Sequence, residues 1–248
     1  MSMNHALSHE ELERFHRDGY LGPYALCAPA EMLTLCERME RGVLTRPGTW
    51  GRNVEQMRHL DAEEVRELVA HPAIVGRLQG LFGPDLLCWR SNFFYKAPGG
   101  KEVPWHQDAE FWQLDPPVNV TAWLALDEVT AESACVQLIP GSHKKILPHV
   151  KAGEEMLFDK MAELSQVPVE QAVDMVLRPG EFFIFNERIL HHSEANRSAR
   201  TRKNMVIRYS LPFVHIPPLY EGHQLLMVSG EDRFGLNATV RLPEPAHA

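Results

Sequence analysis

A histidine and an aspartate two residues apart can bind one metal ion if both side chains leave the backbone on the same side. Residues i and i+2 share a face in a β-strand but not in an α-helix. The sequence contains three such pairs, which begin at His16, His59 and His106. With 13 histidines and 33 acidic residues, some of these pairs arise by chance. The surrounding residues must therefore distinguish a metal site from coincidence.

The context of each pair differs. The pair at His16 falls at the end of a predicted helix, where its two side chains point apart, and the pair at His59 falls where Asp61 is expected to cap another helix. His106 and Asp108 lie in a strand-like segment that is rich in aromatic residues. An imidazole and a carboxylate on one face, beside aromatic walls, suit a redox iron site. An ordinary pair on an edge strand is the alternative interpretation of the same residues.

A facial triad of two histidines and one carboxylate needs a second histidine and leaves positions open for a cosubstrate and oxygen. Two candidates, His191 and His192, follow an apolar strand-like run at residues 181–185. Several arginines come next: Arg197, Arg200, Arg202 and Arg208. A bidentate arginine is the natural partner of a dicarboxylate, so this region predicts a cosubstrate site.

The elements that must position these residues change character along the chain. Helices are predicted from Ser8 to Gly19, from Pro29 to about Arg41, from Asp61, and from Pro72 to near Gly80. Residues 45–51 are predicted to form a loop. After Pro84, short apolar runs between turn signals predict the strands of a sandwich or barrel: 86–95, 103–106, 118–126, 134–139, 181–185 and 204–213. Residues 151–172 form a polar, helix-compatible insertion. We expect one domain over 1–248, with a helical part at about 1–84, a β-core at about 85–215 and a C-terminal extension at 216–248.

The composition excludes several function classes. Apolar residues make up 44% of the 248 residues, and the net charge is −8, so neither disorder nor nucleic-acid binding is expected. No apolar run reaches the length of a membrane span. The start of the chain does not resemble a signal peptide, and the four scattered cysteines indicate a reducing compartment, so a cytoplasmic location is expected.

Several motifs together make the chain resemble the phytanoyl-CoA dioxygenase family of Fe(II)/2-oxoglutarate oxygenases. These motifs are HRDGY at 16–20, WHQD at 105–108, TAW at 121–123, IPGSH at 139–143 and LHHSEANRS at 190–198. The resemblance runs from about Phe15 to Val214. Within the family, residues 87–90, 93–96 and 210–215 look most similar to the syringomycin-type non-haem iron halogenases. The resemblance implies a double-stranded β-helix, a jelly-roll or cupin-like core, beneath a helical N-terminal layer.

The family pattern implies a role for individual residues. His106, Asp108 and His191 match the iron ligands, which leaves His192 beside the site. Arg202 matches the arginine that binds the distal carboxylate of 2-oxoglutarate. Three further positions match residues around the cosubstrate: Thr121, Trp123 and Arg208.

One departure from the halogenase branch bears on the reaction. Halogenases have a small residue where this chain has Asp108, so the resemblance implies hydroxylation of an unactivated C–H bond, with O2 consumed and 2-oxoglutarate converted to succinate. Desaturation, epimerisation or ring closure at the same site is an alternative, and a non-catalytic metal-binding protein is another. The expected partner is a small molecule in secondary metabolism, free or tethered to a carrier protein. Pocket walls are expected at Phe94, Trp105, Phe111, Trp112, Gln113 and His192, with core packing as the alternative role.

Overall fold

The computed structural model describes residues 5–49 and 53–242. The part of the predicted loop at residues 50 and 51 lies outside them. The helices are α1 (His9–Asp18), α2 (Pro29–Gly42), α3 (Glu63–Val69) and α4 (Pro72–Phe82). The predicted capping box of α1 is present, because the Ser8 hydroxyl accepts a hydrogen bond from the Glu11 amide at 3.2 Å and the Glu11 carboxylate accepts one from the Ser8 amide at 2.8 Å. α1 ends at Gly19, whose φ of 84° a glycine adopts without strain.

The predicted cap of α3 is wrong. The residue before α3 is Ala62, which makes no side-chain cap. The Asp61 carboxylate instead accepts hydrogen bonds from the Thr49 amide at 2.7 Å and from Arg58 Nε at 2.9 Å. Asp61 therefore connects the loop before the helix to a buried arginine. The sequence pattern is the same whether an aspartate caps a helix or binds a neighbouring loop in this way.

The strands form two main sheets. In chain order, the strands are β1 (Tyr20–Ala25), β2 (Leu86–Lys96), β3 (Val103–His106), β4 (Val120–Ala125), β5 (Val136–Leu138), β6 (His149–Lys151), β7 (Lys160–Ala162), β8 (Val173–Met175), β9 (Glu181–Asn186), β10 (His191–Ser193), β11 (Arg202–Ser210), β12 (Leu225–Ser229) and β13 (Thr239–Arg241). The large sheet has the order β1-β9-β4-β11-β2-β12-β13, the small sheet has the order β3-β10-β5-β8, and β6 pairs with β7 alone.

Side chains along the strands of the large sheet point alternately to its two faces, and both faces are apolar. On its inner face, Trp123, Phe183 and Val206 pack in one cluster with residues of β5 and β8 from the small sheet. On the outer face, Leu124 and Ile207 pack in a second cluster with residues of α2, α3 and α4. Side chains in a strand alternate between faces, so this register decides which residues point between the two sheets. The predicted mainly β jelly-roll fold beneath a helical layer is confirmed.

Three sequence-based expectations about the elements need correction. The N-terminal part is not only helical, because β1 pairs antiparallel with β9 in the large sheet. The insertion at 151–172 contains the end of β6, β7 and short 3-10 turns, but no α-helix among its residues. The C-terminal extension contributes β12 and β13 to the large sheet. β7 and β13 have three residues each, which is too short to produce a recognisable period in the sequence.

No helix in the described parts of the chain has the length and apolar character needed to cross a membrane.

Candidate metal centre

Two histidines from neighbouring strands and one aspartate meet between the sheets. His106 ends β3 and His191 begins β10, and the two are register partners. Asp108 follows β3 in a short 3-10 turn and shares the cavity with both histidines. Each of the three residues offers one ligand atom, and these atoms all lie within 4.8 Å of one another. The three side chains that the sequence assigned to the iron are therefore brought together and buried.

Both imidazoles are held in the orientation that a metal ligand needs. Nδ1 of His106 lies 2.8 Å from the carbonyl oxygen of Pro104, and Nδ1 of His191 lies 3.0 Å from that of Ile189. A carbonyl oxygen only accepts hydrogen bonds, so Nδ1 of each ring carries the proton and donates it. Nε2 of each ring is then left with its lone pair for the metal.

The electrostatics of the site favour the same protonation states. Burial, and then nearby His106, lower the pKa of His191 to about 3, so this imidazole is neutral at physiological pH. Burial alone would raise the pKa of Asp108, but the Arg208 guanidinium and the two imidazoles hold it below its ordinary value. Metal binding requires a neutral imidazole and an ionised carboxylate. Two nitrogens and one carboxylate oxygen on one side, in a buried cavity, fit an Fe(II) ion.

Asp108 is oriented by two neighbours on the large sheet. Its Oδ2 atom accepts a hydrogen bond from the Thr121 hydroxyl at 3.4 Å and pairs with the Arg208 guanidinium at 3.4 Å. Thr121 and Arg208 are register partners on β4 and β11. The sequence assigned both residues to the cosubstrate region, and here both contact the carboxylate of the metal site.

The metal ligands lie in a cavity between the sheets. It is lined by Phe94, Val103, His106, Asp108, Trp123, Val136, Phe158, Phe185, His191, His192, Ser193, Arg202, Asn204, Val206 and Arg208. Five of the predicted cosubstrate and substrate residues are among these: Arg202, Arg208, Trp123, Phe94 and His192. The candidate metal ligands and Arg202 therefore face the same cavity.

Arg202 is a buried cation without a carboxylate partner among the described residues. Its guanidinium donates to the Ala134 carbonyl and, at 3.2 Å, to Asn204 Oδ1, and it lies 5.3 Å from the ring centre of Trp123. Burial lowers its pKa to about 10, so the cation persists at neutral pH. Its Nε atom is buried and has no hydrogen-bond partner in the described part of the chain. A buried guanidinium with an unused donor is a site for an anion.

Lys96 faces Arg202 across β2 and β11 but has a different role. Its ammonium donates to Ser193 Oγ at 2.7 Å and to the carbonyls of Ser193 and Glu194 at 3.2 and 2.6 Å. Burial, and then the charge of Arg202, lower its pKa to about 7. Lys96 fixes the end of β10 beside the metal ligands, and sequence reasoning missed it. The signal available was its spacing of two from Phe94, one residue beyond the predicted strand 86–95.

The other predicted pocket walls lie at different places. Trp105 stacks on His192 at a ring distance of 4.4 Å and does not line the metal cavity. Phe111 touches the ring of His106 edge-on at 5.6 Å. Together with Trp112 and Gln113, however, it lines a neighbouring cavity.

Phe158 is a wall residue that the sequence did not indicate. It lies between β6 and β7, and its ring meets the edge of His106 at 5.0 Å. The chain is held there by a hydrogen bond from the Leu157 amide to the Glu102 carbonyl at 2.8 Å. Nothing in the polar sequence around Phe158 distinguishes it from a surface residue.

Comparison with known proteins places these features in a family. The sequence profile described as phytanoyl-CoA dioxygenase (PhyH) matches residues 15–204. The dioxygenase lolE1 of Epichloe uncinata is 30% identical over 138 residues, 56% of this chain and 51% of that protein. The chain thus spans about half the length of the curated relatives that it matches first.

Solved structures match over nearly the whole chain. CytC3 is 31% identical with a TM-score of 0.77, over 96% of this chain and 94% of that one. A second structure, CytC3 with Fe(II) and alpha-ketoglutarate, is 29% identical with a TM-score of 0.75 over 96% and 95% of the chains. The carbocyclase SnoK of nogalamycin biosynthesis is 25% identical with a TM-score of 0.65 over 88% and 89%.

These matches confirm the predicted family. The family profile runs from Phe15 to Asn204, near the start of β11, and so includes most of the residues that form the candidate metal site. The chain belongs to the phytanoyl-CoA dioxygenase family.

Proposed function

We propose that this protein hydroxylates an unactivated C–H bond of a small molecule, with Fe(II), 2-oxoglutarate and O2 as cofactor and cosubstrates. The observation that carries the proposal is the juxtaposition of two sites in one cavity. One is the buried triad of His106, Asp108 and His191. The other is the buried guanidinium of Arg202, which has no carboxylate partner among the described residues. A metal site alone fits many functions, but an adjacent anion site fits a dicarboxylate cosubstrate.

Different residues of the cavity would bind the iron and the 2-oxoglutarate. Nε2 of His106, Nε2 of His191 and the Asp108 carboxylate would hold iron, which supplies the activation of O2 when bound. Arg202 would bind the distal carboxylate of 2-oxoglutarate, with Trp123 against the guanidinium. Thr121 and Arg208 orient Asp108.

The walls of the cavity would exclude water and position the substrate. Phe94, Val136, Phe158, Phe185 and Val206 present apolar surface to the space beside the metal ligands. Exclusion of water and fixed orientation are the protein's contribution to cofactor chemistry of this kind. The apolar walls support a small-molecule substrate, either free or tethered to a carrier protein.

A second candidate function is a different oxidation at the same site, such as ring closure, desaturation or epimerisation. The similarity to the carbocyclase SnoK favours it as the runner-up. The ligand set is the same for these outcomes, which differ in how the substrate is placed. A non-catalytic metal-binding jelly-roll protein is the third alternative.

We take the chain to be one catalytic domain, because strands near both ends, β1 and β13, join the large sheet.

The four cysteines are free, which supports a location in a reducing compartment such as the cytoplasm.

The test is aerobic incubation of the protein with Fe(II) and 2-oxoglutarate, with and without a panel of candidate substrates. We expect succinate above the level of a His191→Ala variant and a product that has gained one oxygen atom by mass spectrometry. A product that has lost two hydrogens, or an isomer, would favour the second candidate. Absence of succinate with every substrate, in protein that binds iron, would favour the non-catalytic alternative.

A further inference from the structure

A second pair of cations lies on the inner face of the large sheet, away from Arg202. Arg90 and Arg208 are register partners on β2 and β11, as Lys96 and Arg202 are at the other end of the same two strands. The two pairs are six residues apart along each strand, or about 20 Å at the rise of a β-strand. Arg208 is neutralised by Asp108. Arg90 has no ion pair with any carboxylate in the described part of the chain.

Arg90 is half-buried and its charge is poorly compensated. Its Nε atom donates to Asn92 Oδ1 at 2.9 Å, and its guanidinium lies 4.6 Å from the ring centre of Trp112. Its terminal nitrogens make no hydrogen bond to the described residues. Burial, and then the charge of Arg208, lower its pKa to about 10. The guanidinium therefore remains charged and has donors to spare.

The groups around Arg90 are also donors without acceptors. Arg90 and Tyr220 line one cavity of about 210 Å³ with Gln56, Met57 and Leu219. The Tyr220 hydroxyl is buried, as is the indole Nε1 of Trp112 in the neighbouring cavity, and neither has a hydrogen-bond partner among the described residues. Buried polar atoms without a partner are uncommon in native proteins, and an oxyanion could accept from the Arg90 guanidinium and from such donors beside it.

A second, apolar cavity adjoins the cavity of Arg90, and one of its walls, Phe111, contacts a candidate metal ligand. A neighbouring cavity of about 190 Å³ is lined by aromatic and apolar residues that include Phe111, Trp112 and Leu219. Leu219 also lines the cavity of Arg90, and the ring of Phe111 meets His106 at 5.6 Å. A ligand with an anionic group at Arg90 would extend its apolar body along Phe111 towards the metal.

We propose that Arg90, with the Tyr220 hydroxyl and the Trp112 indole, binds an anionic group of the substrate, and that the substrate is an apolar small molecule bearing a carboxylate or another oxyanion. This inference rests on the proposed function, since it places the substrate relative to the metal. It assigns Arg202 to the cosubstrate and Arg90 to the substrate, with the two anions at opposite ends of β2 and β11.

The test uses phenylacetate as the probe, titrated anaerobically into the Fe(II)-loaded protein saturated with 2-oxoglutarate and followed by calorimetry. Phenylacetamide is the neutral probe of the same shape, and acetate is the free anion without an apolar body. We expect phenylacetate to bind at least tenfold more tightly than either, and Arg90→Gln to lose at least tenfold in phenylacetate affinity (about 1.4 kcal/mol). Arg233→Gln, an exposed arginine on the surface, should keep the wild-type affinity.

Two results would overturn the inference: equal phenylacetate affinity in Arg90→Gln, or acetate binding as tightly as phenylacetate, which would indicate a site for free anions. Tyr220→Phe removes one donor only, and we expect a smaller loss of about threefold. If circular dichroism shows that Arg90→Gln does not fold, the test uses Arg90→Lys and Tyr220→Phe instead. Unchanged phenylacetate affinity in both variants would overturn the inference. Failure of the proposed function is separate, because it would appear as wild-type protein that does not bind 2-oxoglutarate.

Discussion

His106 and His191 face each other as register partners on β3 and β10, and each donates its Nδ1 proton to the carbonyl oxygen two residues earlier in the chain. Their ring centres lie 4.0 Å apart. The backbone therefore fixes the tautomer of both rings before any metal binds. This repeated contact makes the site a preorganised pair of Nε2 ligands.

Loss of any one of the three ligand side chains should abolish iron binding and turnover. We expect His106→Ala, Asp108→Ala and His191→Ala to lose stoichiometric iron, measured by elemental analysis, together with succinate formation. His16→Ala is the control, because His16 lies exposed on α1. If His191→Ala retained iron and activity while His192→Ala did not, the assignment within the His191–His192 pair would be reversed.

Arg202→Lys should raise the 2-oxoglutarate concentration needed for half-maximal succinate formation. A lysine cannot reproduce the two-pronged guanidinium, and loss of one charge-assisted hydrogen bond of about 1.5–3 kcal/mol corresponds to roughly 10- to 150-fold weaker binding. Arg200→Lys is the matched control, since Arg200 is exposed and pairs with Glu128. An unchanged dependence in Arg202→Lys would shift the role to Arg208.

The native protein should not chlorinate its substrate, even at high chloride concentration. Asp108 is turned towards both imidazoles, so it blocks the coordination position and repels an anion. Asp108→Gly would open that position, but we expect little halogenation, because the outcome also depends on where the substrate C–H bond lies relative to the metal. Product analysis with chloride and bromide checks both proteins. A halogenated product from the native protein would show that Asp108 does not bind the iron.

The free energy of unfolding should fall as the pH drops from about 6.5 towards 3, and His59 should account for part of this loss. Burial, and then His223 and Arg66, lower the pKa of His59 from 6.5 to about 3 in the folded protein. Below pH 6.5 the His59 side chain becomes protonated in the unfolded chain but stays neutral in the folded protein. The free energy of unfolding therefore decreases by up to about 1.4 kcal/mol for each unit by which the pH falls.

Denaturant titrations of wild type and His59→Gln between pH 7 and 5 test this expectation. Glutamine can keep a hydrogen bond to Ser91 Oγ, which lies 2.7 Å from His59 Nδ1, but it does not titrate. We expect a shallower pH slope in His59→Gln and the wild-type slope in the exposed control His16→Gln. Identical slopes in wild type and His59→Gln would contradict the assignment.

The spacing of two in a strand-like segment indicated His106 and Asp108, although Asp108 lies in the 3-10 turn just after β3. The choice of His191 as the third ligand came from the family resemblance. The sequence also predicted α1, because a capping box and a terminal glycine are local signals. It failed for Asp61, which binds Arg58 and Thr49 across a loop, and for the hairpin of β6 and β7, whose strands are too short to show a period.

What the sequence by itself determined is therefore the set of chemical groups and their local spacing: the ligand types, the run of arginines and the mainly β pattern. Only the tertiary structure decided which of these groups are neutralised. Lys96 and Arg202 are equally charged in the sequence, yet Lys96 is surrounded by three oxygen acceptors while Arg202 keeps a free donor. The same holds for Arg208, paired with Asp108, and Arg90, which has no carboxylate. Charge compensation depends on residues about 100 positions apart in the chain, and only folding brings them within hydrogen-bond distance.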